Sequence, residues 1–289
     1  MMVKSFDFRL ILLLLATVVV PLMRSQQNSP PVDVLFSGYM ETLKLRENIK
    51  RGSAKEMISR IGNPSNLLIH YDLMFISLFM QNKVVIGNLS KKSIIPFVEG
   101  EYCKKKDASS SAVVCGILDG PWGMVIKNDV FYVTSFGSDQ VMAFLVSNGE
   151  FVDAFGDAET LDCPEGIAID NNNSNHQIYV VNYGSSNIAI FDSNHNFLRY
   201  LVTQTQVPYL RNPESILLDP AHERIVVTSY SNNSLVFLDY EGRMQRVVRD
   251  VDFPPAVAFV GPIGLALSSA GTYAVTCYKV PNPCTTICV

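Results

Sequence analysis

The stretch PEGIAIDNNNSNHQIYVVNYGSSNIAIFD, residues 164–192, decides the fold. Three short apolar runs, at 167–169, 178–181 and 188–191, alternate with turns of Asn, Ser and Gly. Short β-branched and aromatic runs bounded by such turns read as strands, because branched side chains pack well on a pleated surface. Pro164 and Gly166 set a tight entry to the first run.

The same order recurs on both sides. PSNLLIHYDLMFISLF starts at Pro64, PWGMVIKNDVFYVTSF at Pro121, PESILLDPAHERIVVTSY at Pro213 and PIGLALSSAGTYAVTCY at Pro262. The second run ends each time in an aromatic residue, Phe79, Phe136, Tyr183, Tyr230 and Tyr278, and Tyr39 in VLFSGY adds a sixth copy. Four residues after the first five of these, in chain order, a third run begins at Leu43, Lys83, Gln140, Asn187 and Ser234. A weaker fourth run follows, as in GEFVDAF, NFLRYL and RMQRVV. Four strands per repeat of roughly 40 to 50 residues are the pattern of a β-propeller blade. A sandwich has many short strands too, but not one spacing repeated along the chain.

PEGIAID, IYVVN and NIAIFD together resemble an NHL repeat, and 121–155 and 213–248 are more divergent copies. The resemblance covers most of residues 34–278 and implies a closed, mostly six-bladed disc that binds proteins, RNA or small ligands through one face. Six copies of the second strand predict an all-β six-bladed propeller over 33–289. Five blades is the alternative, because too few residues follow Tyr278 for two normal outer strands.

Residues 10–23 form an uncharged apolar run behind Lys4 and Arg9. A bilayer-spanning helix needs about 20 apolar residues, so 1–25 reads as a cleaved signal peptide, with an uncleaved anchor as the alternative. No second such run follows, and the mature chain is expected to carry no membrane span. The six cysteines fit an exported protein. A Cys103–Cys115 bridge is expected to close the polar insert between them, while the pairing of Cys163, Cys277, Cys284 and Cys288 stays open. Sequons at Asn88, Asn172 and Asn232 add glycosylation to this secreted reading.

Charge excludes one class of function. With 23 basic and 27 acidic side chains, net −4, the chain is no polybasic nucleic-acid binder. Its one basic cluster, at 104–106, sits in the polar insert.

Within the repeats, the terminal aromatics read as packing between blades. Asp170, Asp192, Asp219 and Asp239 read as turn caps. Sites are sought where blades differ, on the face expected to carry Trp122, Ser135, Asp139, Glu165, Asn182, Glu214, Ser229 and Cys277. Trp122, the sole tryptophan, stands where other blades carry Glu165 and Glu214, and reads either as an exposed contact residue or as a half-buried plug. Glu165, Asn182 and Glu214 offer oxygen ligands of a kind a divalent cation such as calcium accepts. His70, His176, His195 and His222 fall in solvated loops toward the opposite face and point to no metal site.

The gluconolactonase and strictosidine-synthase families resemble this architecture, yet no catalytic motif of theirs is matched beyond Pro-Glu-Gly-Ile, and no GxSxG occurs. The sequence therefore reads as a secreted module binding an extracellular protein or glycan, without a required cofactor. A metal-dependent hydrolase or lyase and an extracellular structural protein are the alternatives.

Overall fold

The computed structural model describes residues 34–37, 64–88, 91, 93–105, 111–170, 176–252, 259–267 and 271–278. The expected signal peptide, Tyr39, Leu43, Lys106, Asn172, Cys284 and Cys288 lie outside them. Among the described residues the chain is all-β apart from short 3₁₀ turns, and no helix is long and apolar enough to cross a membrane.

Five antiparallel sheets follow one another in chain order. The first runs β1 (Val34–Ser37), β2 (Pro64–His70), β3 (Leu73–Leu78), β4 (Lys83–Asn88), β5 (Ser93–Lys105) and β6 (Val113–Leu118). The second holds β7 (Pro121–Lys127), β8 (Val130–Ser135), β9 (Gln140–Leu145) and β10 (Phe151–Phe155). The third holds β11 (Pro164–Ile169), β12 (Ile178–Asn182), β13 (Asn187–Phe191) and β14 (Phe197–Val202). The fourth holds β15 (Pro213–Asp219), β16 (Arg224–Ser229), β17 (Ser234–Leu238) and β18 (Met244–Arg249). The fifth is β19 (Pro262–Leu267) with β20 (Tyr273–Cys277). Each sheet is a blade, numbered here one to five.

The first strands lie side by side in the order β2, β7, β11, β15, β19. β1 pairs with β2, Val34 opposite Ile69, and also packs against β19, so the first and last sheets meet through it. VLFS was expected as the second strand of a separate blade. It is instead an added strand on blade one, because its backbone is taken up by β2. The described residues thus carry five sheets rather than six.

Neighbouring sheets pack face to face through apolar clusters. One cluster joins Val141 and Phe155 of blade two to Ile167, Ile169, Val180 and Phe191 of blade three. Another joins Val181, Ile188 and Ile190 of blade three to Ile216, Val227 and Val236 of blade four. This is why β12 and β13 are buried at every position and show no polar alternation. Each such Val or Ile contributes about 1.5–3 kcal/mol on burial.

Polar side chains tie the blades together inside this apolar packing. Thr134 Oγ1 accepts the Gly123 N–H at 2.8 Å and donates to the Glu165 carbonyl of the next blade at 2.7 Å. Thr228 Oγ1 does the same with the Ser215 N–H and the Ile263 carbonyl, and Ser77 Oγ donates to the Trp122 carbonyl at 2.9 Å. Between blades three and four the equivalent residue is Val181, without a hydroxyl. Farther out, His195 Nδ1 meets Asp153 Oδ2 at 2.6 Å across blades two and three, with Phe155 stacked on its ring.

Cys103 and Cys115 are bonded, as expected. They face each other across the ladder of β5 and β6. That ribbon leans onto blade two, where Tyr102 packs against Phe144 and Phe151, and Gly116 lies against Met142 and Ala154. The bond holds a strap between two blades. Reduction is therefore expected to lower stability by up to about 3 kcal/mol and to speed amide exchange at Tyr102 and Gly116 first. Superimposable melting and exchange curves with and without reductant would refute this.

Candidate functional site

At one end of the sheets the chain repeats a small device. The residue before four of the inner prolines, Pro121, Pro164, Pro213 and Pro262, is left-handed: Gly120 (φ 62°), Cys163 (52°), Asn212 (46°) and Gly261 (60°). Its carbonyl accepts the N–H of the aromatic that follows the second strand, at 3.1 Å for Phe136, 3.1 Å for Tyr183, 3.2 Å for Tyr230 and 2.8 Å for Tyr278. The residue before that aromatic pins the same loop. Ser135 Oγ accepts the Asp119 N–H and Ser229 Oγ the Arg211 N–H.

Asn182 holds this position in blade three. Its Oδ1 accepts the Asp162 N–H at 3.2 Å, and its Nδ2 donates to the Thr160 carbonyl and to Asn187 Oδ1. It is fully buried and committed to the loop.

Clamped in this way, the aromatics form a continuous arc. Ring centroids are 5.5 Å apart for Phe79–Phe136, 6.2 Å for Phe136–Tyr183, 6.5 Å for Tyr183–Tyr230 and 5.6 Å for Tyr230–Tyr278. The rings are half-buried, so each packs on its neighbours and keeps part of its surface open. Trp122 stands edge-on to Phe79 at 5.5 Å and is only 6% exposed, which makes it the plug rather than an exposed contact.

Trp122, Glu165 and Glu214 occupy equivalent positions on β7, β11 and β15. The two glutamates are 4% and 6% exposed, and the Oε2 atom of each has no hydrogen-bond partner. Burial, then the neighbouring charge of Glu214, then Cys163 hold the Glu165 carboxyl well above the usual carboxylate range. Burial pushes Glu214 up to about 8. Tyr183 is close enough to feel both, its phenol raised by burial first and then by the charges of Glu165 and Glu214. The blade interface that lacks the hydroxyl clamp thus holds a pair of buried carboxyls beside the aromatic arc. Chemically the pair can hold a proton or receive a cation. Of the set Glu165, Asn182 and Glu214, Asn182 is the member already hydrogen-bonded to Asp162, Thr160 and Asn187.

The other candidates disperse. His222 Nδ1 meets Asp219 Oδ2 at 2.8 Å, His176 Nδ1 meets the Asp170 carbonyl, and His70 packs edge-on to Tyr71. Asp192 and Asp239 cap their turns through the backbone N–H groups of Asn194 and Asn196, and of Glu241 and Arg243. Asp219 does not. It accepts from the Tyr273 hydroxyl and from Arg224, linking blades four and five. Asp139 accepts the Cys163 N–H at 2.7 Å, and burial, then Asp162 and Asp139, raises the Cys163 thiol. Asn88 ends β4, and Asn232 lies in the turn beside Tyr230, its Nδ2 donating to the Tyr209 carbonyl.

Sequence reasoning missed the hydroxyl clamp and the left-handed residue before the four later inner prolines. Both left a signal: Ser77, Thr134, Thr228 and Thr276 all stand two residues before the terminal aromatic, and Gly120, Asn212 and Gly261 directly precede a proline.

No protein-family model matches the sequence, and no curated protein matches it significantly. Solved structures do. The chain is similar to a nidogen/laminin complex structure at 11% identity and TM-score 0.53, covering 89% of this chain and 94% of that one. Virginiamycin B lyase from Staphylococcus aureus, solved in an inactive form with quinupristin, aligns at 12% identity and TM-score 0.49 over 75% and 70% of the two chains. Hydrazine synthase of Kuenenia stuttgartiensis aligns at 17% identity and TM-score 0.49, over 71% of this chain and 52% of that one. This chain therefore spans about half the length of the hydrazine synthase chain. The likeness shows the fold alone, a β-propeller-type arrangement of antiparallel sheets.

Proposed function

We propose that this propeller-type chain is a secreted, glycosylated NHL-like module that binds an extracellular protein or glycan through the face carrying the aromatic arc. One observation carries the reading. Five half-buried rings, from Phe79 to Tyr278, run unbroken across the blade ends. Rigid aromatic rings offer large contact area at low entropic cost and are enriched at binding hot spots. The signal-peptide reading and the Cys103–Cys115 bond support an extracellular setting, and the nidogen/laminin structure is itself a complex of two proteins.

The test uses the secreted protein and a Tyr183→Ser/Tyr230→Ser variant on a glycan array and on a library of displayed extracellular domains. Specific partners are expected for the parent, with binding at least about tenfold weaker for the variant. Partners that ignore the two tyrosines, or no partner in either library, would defeat the reading.

A further inference from the structure

Glu165 and Glu214 pose a physical problem that the aromatic arc does not answer. A buried carboxyl oxygen without a hydrogen-bond partner costs stability, and the two glutamates stand at the same position on adjoining strands, β11 and β15, so close that a Cβ at Gly166 would lie 2.8 Å from the Glu214 carbonyl oxygen. Turn capping does not explain them, since neither Oε2 caps anything. Structural duty at this position does not require acid either: Trp122 and Ile263 hold it in blades two and five. Such a pair is stabilised when a positive group enters between the two oxygens.

The surroundings select among cations. Calcium takes six to eight oxygen ligands and magnesium a near-ideal octahedron, while the Asn182 amide already bonds Asp162, Thr160 and Asn187. What does flank the pair is aromatic, with Tyr183 coupled to both carboxyls and Phe136 and Tyr230 on either side of it. Carboxyls beside aromatic rings suit an ammonium or guanidinium group, which can gain from both.

We infer that the Glu165–Glu214 pair receives a basic side chain, Lys or Arg, presented by the protein partner that docks on the aromatic arc. This rests on the interaction reading above and makes the partner a protein rather than a glycan.

The experiment titrates the secreted protein with N-acetyl-lysine amide, N-acetyl-arginine amide, the neutral N-acetyl-norleucine amide and calcium chloride. Binding is read by calorimetry and by the fluorescence of Trp122, the sole tryptophan. Saturable binding of a basic probe is expected, with Kd of about 1–10 mM, no response to norleucine, and at least tenfold weakening in Glu165→Gln/Glu214→Gln. The double variant keeps side-chain volume, and its melting curve is recorded alongside. No saturable binding by either basic probe, equal binding by the variant, or stoichiometric calcium that excludes both probes would each overturn the inference. A library partner lost on Tyr183→Ser/Tyr230→Ser but kept by the glutamine variant would overturn this inference alone. Indifference to the tyrosines would overturn the interaction reading itself.

Discussion

Glu214→Gln is expected to raise the stability of the folded protein at pH 8 and to leave it nearly unchanged at pH 4.5. The sign follows from where the proton sits. Burial lifts the folded-state pKa of Glu214 from 4.5 to about 8. Below pH 4.5 both folded and unfolded chains hold the proton, and the carboxyl costs nothing extra. Between 4.5 and 8 the folded chain keeps a proton that the unfolded chain has released, so stability falls as pH rises. Above about 8 the full penalty is in place, roughly 3–5 kcal/mol by the linkage relation. Glu165, shifted in the same direction, adds to the slope, and Cys163 and Tyr183 are the other titratable groups coupled to the pair.

Glutamine keeps the shape and cannot ionise. Removing Glu214 also relieves the repulsion on Glu165. Thermal unfolding at pH 4.5, 6 and 8 should show the two proteins together at the acid end and apart by ~10 °C at the alkaline end. Parallel melting profiles would mean that the pair is not desolvated as the structure has it. The link to function is direct. A chain that keeps a destabilising carboxyl pair at neutral pH trades stability for something the pair does, and loss of basic-probe binding in the stabilised variant would say what.

How far the sequence reveals this architecture depends on whether a feature is local or arises between blades. The four-strand order was legible because an aromatic followed four residues later by a new strand is a local signal, and every second strand from β3 to β20 falls where the spacing puts it. The equivalence of Trp122, Glu165 and Glu214 was legible for the same reason. Their environment was not. Whether Glu165 meets Glu214 is decided by how closely β11 and β15 approach, and no window of sequence reports that distance.

The strap formed by β5 and β6 escaped notice on other grounds. β5 is largely exposed, so it lacks the alternation that marks a half-buried strand, and Lys104 and Lys105 at its end read as part of a polar insert. Asp219 was misjudged because it sits beside Pro220 in what looks like a turn signal, while its bonds reach Tyr273, 54 residues away.

Gly123→Ala tests the inter-blade approach itself. A Cβ at residue 123 would lie 2.1 Å from the Glu165 carbonyl oxygen and 3.1 Å from the Glu165 carbonyl carbon and Gly166 Cα. All three are backbone atoms, so no rotamer change relieves the clash. The neighbouring strand is not free to retreat either, because that same Glu165 carbonyl accepts the Thr134 hydroxyl, whose oxygen in turn accepts the Gly123 N–H. Any shift wide enough for a methyl group breaks this clamp and opens the apolar interface between blades two and three. Destabilisation above about 3 kcal/mol is expected, in the range reserved for overpacked cores with broken hydrogen bonds, and visible as a melting temperature lower by ~10 °C. Ser215→Ala supplies the comparison. It stands at the same position in blade four and already carries a Cβ, and its link to Thr228 runs through the backbone N–H, so its loss of stability should stay within about 1 kcal/mol. Equal effects of the two substitutions would show that blades two and three do not meet at Gly123.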